Sequence, residues 1–105
     1  MTKPPFSVEL TRAAEKDLRG YRGSIDQVVE ELSKLERDPM AGHSLQGSLR
    51  GVRALEFSMA DGEHRAVYVV LSEDSCCLVF LIGPHENIYR MAERRYQALK
   101  RSGAV

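Results

Sequence analysis

Between Val52 and Ile82 three β-prone segments follow one another with only tight polar turns between them. Val52–Ser58 leads through Ala60-Asp61-Gly62-Glu63, whose Asp-Gly dipeptide is a strong hairpin signal, into His64–Leu71, which is rich in Val and Tyr. Ser72-Glu73-Asp74-Ser75 then turns the chain into Cys76–Ile82. Connections this short admit only antiparallel neighbours, because a parallel return needs a crossover of a dozen residues or more. A meander is therefore expected, and the helices must fit around it. Cys76–Ile82 lacks the polar–apolar alternation of a half-exposed strand, which predicts burial on both faces and a central place in the sheet.

The flanks carry helical signals. Phe6-Ser7-Val8-Glu9-Leu10 alternates with period two and predicts a short strand. Thr11 offers a capping oxygen to a helix over Arg12–Arg19, with Ala14 and Leu18 four apart, and Gly20 and Gly23 break it. Ser24-Ile25-Asp26-Gln27 reads as a capping box for a second helix from Ile25. Its stripe is Ile25, Val28, Val29, Leu32 and Leu35, and Asp38-Pro39 closes it. Met40–Gly51, with Gly42, Gly47 and Gly51, reads as an ordered loop. Gly83-Pro84 opens a last helix, His85 to about Ser102, with Gly103 suited to its C-terminal cap. The order β-α-α-β-β-β-α is α+β: a small antiparallel sheet, two N-terminal helices on one face, and a C-terminal helix.

A length of 105 residues makes residues 1–105 one domain. Fifteen Lys and Arg balance fifteen Asp and Glu, which excludes a general polyanion binder or a polybasic membrane anchor. Met1-Thr2-Lys3-Pro4-Pro5-Phe6 shows no secretory pattern, and no apolar run approaches the ~20 residues of a membrane span. Adjacent Cys76 and Cys77 alternate across a strand, as two small buried residues of a reduced, cytoplasmic protein. No metal is expected, since His43, His64 and His85 lack the spacing of a helical ligand pair, and no cofactor-binding motif is present.

One constellation points to chemistry. Arg65 lies on the middle meander strand, and His85 and Tyr89 are four apart at the expected start of the last helix. A helix N-terminus and a forked guanidinium together suit a phosphate. Arg90 and Arg94 continue that side, and residues 90–101 hold five basic residues against Glu93, a local charge of +4. Each residue also has a plain reading: Arg65 as a cross-strand partner of Glu56 or Glu63, Tyr89 as an edge-of-core ring, the basic helix as a solvated face.

Leu45-Gln46-Gly47, Leu49-Arg50-Gly51-Val52-Arg53, the strand His64-Arg65-Ala66-Val67-Tyr68-Val69-Val70 and the ending Gly83-Pro84-His85-Glu86-Asn87-Ile88-Tyr89 together resemble the RelE/ParE superfamily of type II toxin–antitoxin toxins. The resemblance runs from Phe6 to about Leu99. It implies a toxin held inactive by a cognate antitoxin protein. In the RelE-like branch such a toxin is a metal-free endoribonuclease, an mRNA interferase that cuts mRNA on the ribosome. The resemblance implies Arg65, His85 and Tyr89 as catalytic residues, and Arg50 and Arg53 as RNA contacts beside Arg90 and Arg94. The ParE-like branch instead implies a toxin that binds DNA gyrase without nuclease activity. The neutral charge and long final helix of this chain keep that alternative open, as well as a binding module without toxicity.

Overall fold

The computed structural model describes residues 4–105; Met1-Thr2-Lys3, the start of the segment without a secretory pattern, lies outside the described residues. Strand β1 (Ser7–Leu10) leads into helix α1 (Arg12–Arg19) and helix α2 (Ile25–Ser33). A two-residue strand β2 (His43–Ser44) precedes the meander of β3 (Arg53–Met59), β4 (Gly62–Leu71) and β5 (Cys76–Pro84), and helix α3 (Ile88–Ser102) ends the fold. The sheet order is β1-β5-β4-β3-β2. Class, meander and flanking helices agree with the sequence. The sheet itself is mixed, not wholly antiparallel, because β1 runs parallel to β5. Two helices separate β1 from the meander in sequence, so its direction is free of the tight-turn constraint.

Each face of the sheet has its own core. Ala14 of α1 and Val28 and Leu32 of α2 pack with Leu35 on Leu55, Phe57, Ala66, Tyr68, Cys77 and Val79. On the opposite face, Ile88 and Ala92 of α3 pack with Leu49 and Val52 on Val67, Val69, Phe80 and Leu81. Strand β5 is accordingly buried on both faces between β1 and β4, as its lack of alternation implied. The stripe of α2 is narrower than expected: Val28, Leu32 and Leu35 are buried, whereas Ile25 and Val29 remain exposed.

Caps follow the sequence unevenly. Thr11 Oγ1 accepts the Ala14 N–H at 3.1 Å, as expected. The capping box does not form: Ser24 makes no side-chain cap, and Gln27 donates instead to the Ser58 carbonyl at 3.4 Å. Gly103 closes α3 at φ 80°, where a residue with a Cβ would be strained.

Beyond Val79 the strand β1 has run out, and β5 would present a bare edge. Other groups take over. The Thr11 N–H donates to the Val79 carbonyl at 3.0 Å. Asp17 Oδ2 accepts the Ile82 N–H at 3.1 Å, and Arg95 Nη1 donates to the Phe80 carbonyl at 2.9 Å. Arg95 also grips Asp17 through both guanidinium nitrogens, at 2.6 and 3.3 Å, so α1 and α3 meet at this edge. Here Val67 pairs with Leu81 but Tyr68 with Val79, so Phe80 is an extra residue, a bulge. The bulge lets consecutive Phe80 and Leu81 both enter the α3-side core.

Met40–Gly51 is ordered by a second set of bonds. Tyr68 Oη accepts the Gly42 N–H at 2.9 Å and donates to the Pro39 carbonyl at 2.7 Å. A Cβ on Gly42 would lie 2.7 Å from the Ala54 carbonyl oxygen and 2.8 Å from the Tyr68 ring.

Two stability measurements follow. Gly42→Ala is expected to cost about 1–3 kcal/mol in urea unfolding, because backbone must move to admit the methyl group. Asp17→Ala is expected to cost about 2–4 kcal/mol, since it strips a buried N–H of its acceptor and removes the carboxylate partner of Arg95. A change below 0.5 kcal/mol (about the scatter of an ordinary surface substitution) in either variant would contradict this packing.

Candidate active site

The meander register assembles the site. Arg65 on β4 stands opposite Glu56 on β3 and opposite Gly83 on β5. Directly opposed residues share a sheet face, so Glu56 and Arg65 meet on one side of the β3–β4 hairpin. Arg65 Nη2 lies 2.5 Å from Glu56 Oε1; the arginine side chain is 12% exposed and the glutamate 45%. Tyr89, in the first turn of α3, places its ring 5.0 Å from the Arg65 guanidinium carbon. That is cation–π range, and it fixes the plane of the fork. Arg65 Nε is buried without a hydrogen-bond partner, so Glu56 uses only part of the fork.

His85 reaches this region by a route different from the expected one. Pairing of β5 with β4 continues to Pro84, opposite His64, and the His85 N–H donates to the Glu63 carbonyl at 3.1 Å. The helix therefore starts at Ile88, not at His85, and its cap Asn87 is left-handed at φ 58°. Asparagine tolerates that conformation, but it breaks helical continuity between His85 and Tyr89. The two do not share a helix face. They meet as walls of one open cleft of about 570 Å³, with Glu86, Asn87 and Arg90.

The other basic candidates separate. Arg90 lines the cleft, and Arg94 is exposed one turn further along α3. Arg50 is exposed after the turn Gly47–Leu49. Arg53 lies on the other face, opposite Tyr68, and donates to the carbonyls of Gly42 at 2.8 Å and Met40 at 3.1 Å. Its guanidinium orders the 40–42 segment. Of the charges counted over residues 90–101, Arg95 is engaged with Asp17, and Lys100 sits 4.7 Å over the Tyr96 ring. Arg90, Arg94 and Arg101 remain exposed.

A polar network escaped the sequence reading. His64, one residue from Arg65 but on the α1–α2 face, is a buried polar residue in the core. Its Nδ1 lies 2.7 Å from the Tyr21 hydroxyl and its Nε2 2.8 Å from Asp61 Oδ1. Phe57 stacks on the imidazole at 6.0 Å. Burial first, then the nearby Asp17 and Asp61 charges, push the Tyr21 phenol up to about 12. The hydrogen bond to His64 holds the Asp61 carboxyl below its ordinary value. Tyr21 thus keeps its proton and donates it to Nδ1, leaving Nε2–H to donate to Asp61. Both ring nitrogens are engaged inside the protein, so this network braces the hairpin beside a cavity of about 490 Å³. Three residues 43 and 3 positions apart show no periodic signal in the sequence.

Among the described residues no group of three or more His, Cys, Asp or Glu could hold a metal ion. Cys76 and Cys77 are buried and free, and burial raises both thiols, Cys77 to about 11. No described helix is long and apolar enough to cross a membrane.

Residues 5–93 match the family model described as the ParE-like toxin of type II bacterial toxin–antitoxin systems. No curated protein matches the chain. Among solved structures, the RelBE2 toxin–antitoxin complex of Mycobacterium tuberculosis is similar at 23% identity and a TM-score of 0.69, covering 77% of this chain and 99% of that one. A free double arginine-to-alanine mutant of the Escherichia coli toxin RelE gives 18% and 0.68, over 90% and 98%. The YoeB/ParE toxin of Agrobacterium tumefaciens gives 20% and 0.62, over 76% and 99%. At these identities the shared feature is the fold.

Tyr21→Phe supplies a test of the network through its sign. The folded state holds the Tyr21 proton more tightly than the unfolded chain, so this stabilisation is complete below pH 10 and lost as pH rises towards 12. The wild type is expected to lose stability across that window more steeply than Tyr21→Phe in urea titrations. Parallel losses would contradict the bond.

Proposed function

The chain belongs to the ParE-like toxin family of type II bacterial toxin–antitoxin systems, and from that premise we propose that it inhibits translation as a metal-free endoribonuclease, cutting mRNA on the ribosome in the cytoplasm. Residues 1–105 act as one toxin domain, silenced by a cognate antitoxin. Toxin–antitoxin complexes among the structures of the same fold support that partner. The observation that carries the reading is Arg65: a mostly buried guanidinium, shared by Glu56 at 2.5 Å and the Tyr89 ring at 5.0 Å, beside the cleft of His85.

Each residue then has a task. A phosphodiester entering the cleft takes the guanidinium from Glu56 and accepts its forked hydrogen bonds. The released carboxylate takes the proton of the adjacent 2′-hydroxyl as its oxygen attacks phosphorus. Arg65 stabilises the negative charge that grows on the phosphorane oxygens. His85, which lines the same cleft, returns a proton to the departing 5′-oxygen as general acid. The products are a 2′,3′-cyclic phosphate and a 5′-hydroxyl. Tyr89 holds the Arg65 fork and offers its ring to a base. Arg50, Arg90 and Arg94 attract the RNA backbone by charge, while Arg53 donates to the Gly42 and Met40 carbonyls on the other face.

The exposed Arg90, Arg94 and Arg101 on a fifteen-residue helix favour a second reading, a toxin that docks α3 on DNA gyrase. That activity would survive loss of His85.

Expression without the antitoxin, with primer extension on a cellular mRNA, separates the two. Arg65→Ala and His85→Ala are each expected to lower cleavage by about 100-fold or more and to relieve growth arrest. Arrest that persists in both variants with intact mRNA would overturn the nuclease reading.

A further inference from the structure

Next to the His85 cleft lies a second cleft of about 380 Å³, and Tyr89 lines both. Its other walls come from β2, the turn Gly47–Leu49 and α3. Leu49, buried, and Leu45, half-buried, provide apolar walls. Ser44, Gln46 and Ser48 add two hydroxyls and an amide. Glu93 adds a carboxylate one helical turn after Tyr89, on the same side of α3.

We propose that this cleft reads a guanine base of the RNA beside the cut bond, with Glu93 as the residue that selects it. The proposal rests on the ribonuclease reading above. An aromatic ring gives any base a stacking platform worth about 1–3 kcal/mol, so Tyr89 supplies affinity without choice. Choice comes from the carboxylate, which when ionised accepts hydrogen bonds and donates none. Guanine presents two adjacent donors, N1–H and the N2 amino group, and both oxygens of one carboxylate can be filled at once. Adenine and cytosine place an unprotonated ring nitrogen beside their amino group, and uracil flanks its single N–H with two carbonyls, so each sets acceptor against acceptor. The serine hydroxyls and the Gln46 amide can donate to guanine O6. A mismatched base leaves donors or acceptors of the cleft unpaired, which is the cost that discriminates against it. The cleft is of the size that holds a small planar ligand, and its two walls come from segments fixed by the sheet and by α3.

The test maps RNA 5′ ends in cells expressing the full chain, wild type against Glu93→Gln, Glu93→Asp and Gln46→Ala. Glu93 is exposed on α3, so its replacement leaves the core untouched. The wild type is expected to favour sites with guanine within two nucleotides of the cut. In Glu93→Gln the ratio of guanine-flanked to other cuts is expected to fall about tenfold, the discrimination that one good bidentate pairing to a base supplies. Glu93→Asp, which keeps the carboxylate, is expected to retain part of the preference, and Gln46→Ala to weaken it less than Glu93→Gln does. A wild type that cuts without a guanine bias, or a Glu93→Gln pattern identical to wild type, would overturn the proposal and leave the ribonuclease reading intact. A wild type that makes no cuts at all would overturn both.

Discussion

The edge of β5 beyond Val79 is the place on which the rest of the structure depends. A strand buried on both faces cannot leave its N–H and C=O groups bare, and β1 is too short to cover them. The Asp17–Arg95 pair completes the edge by serving the Ile82 N–H and the Phe80 carbonyl. Two distant helices are thereby held to one strand, and the Phe80 bulge is stabilised between them. The consequence reaches the site, because everything beyond the bulge follows from it: Gly83 opposite Arg65, Pro84 opposite His64, and His85 anchored on Glu63. Without that anchoring, α3 would not bring Tyr89 over Arg65.

The two faces of β4 divide the labour between neighbouring residues. His64 faces α1 and α2 and commits both ring nitrogens to Tyr21 and Asp61. Arg65 faces the other way and keeps part of its fork uncommitted. The buried network stiffens the hairpin from behind, so the guanidinium in front is held by a rigid strand rather than by a loop. Preorganised charge of this kind is what a reaction passing through a phosphorane requires, since the site need not reorganise as the charge develops.

The sequence made the local features legible: the meander from its tight turns, the Thr11 cap, the Gly103 stop and the burial of β5. What it did not show were the features decided by residues distant along the chain. The parallel pairing of β1, the bulge at Phe80 and the Asp17–Arg95 bond join residues separated by as many as 78 positions, and no periodicity records them. At the site, Arg65 and Tyr89 were legible by type and spacing, and the structure brings them together. Arg53 was not, because strand parity turns it to the opposite face, where it orders a loop. His85 was found for a reason that fails, a shared helix face, and still arrives at the same cleft through the extension of β5 to Pro84.

One chemical claim underlies the proposed function: Glu56, Arg65 and His85 direct the RNA's own 2′-hydroxyl at its phosphate. The most direct measurement is the end-group chemistry of mRNA fragments recovered from cells expressing the toxin. Fragments carrying 2′,3′-cyclic phosphates on one side of the break and 5′-hydroxyls on the other are the result this mechanism requires. Fragments with 5′-phosphates, or mRNA that stays whole while growth stops, would contradict it.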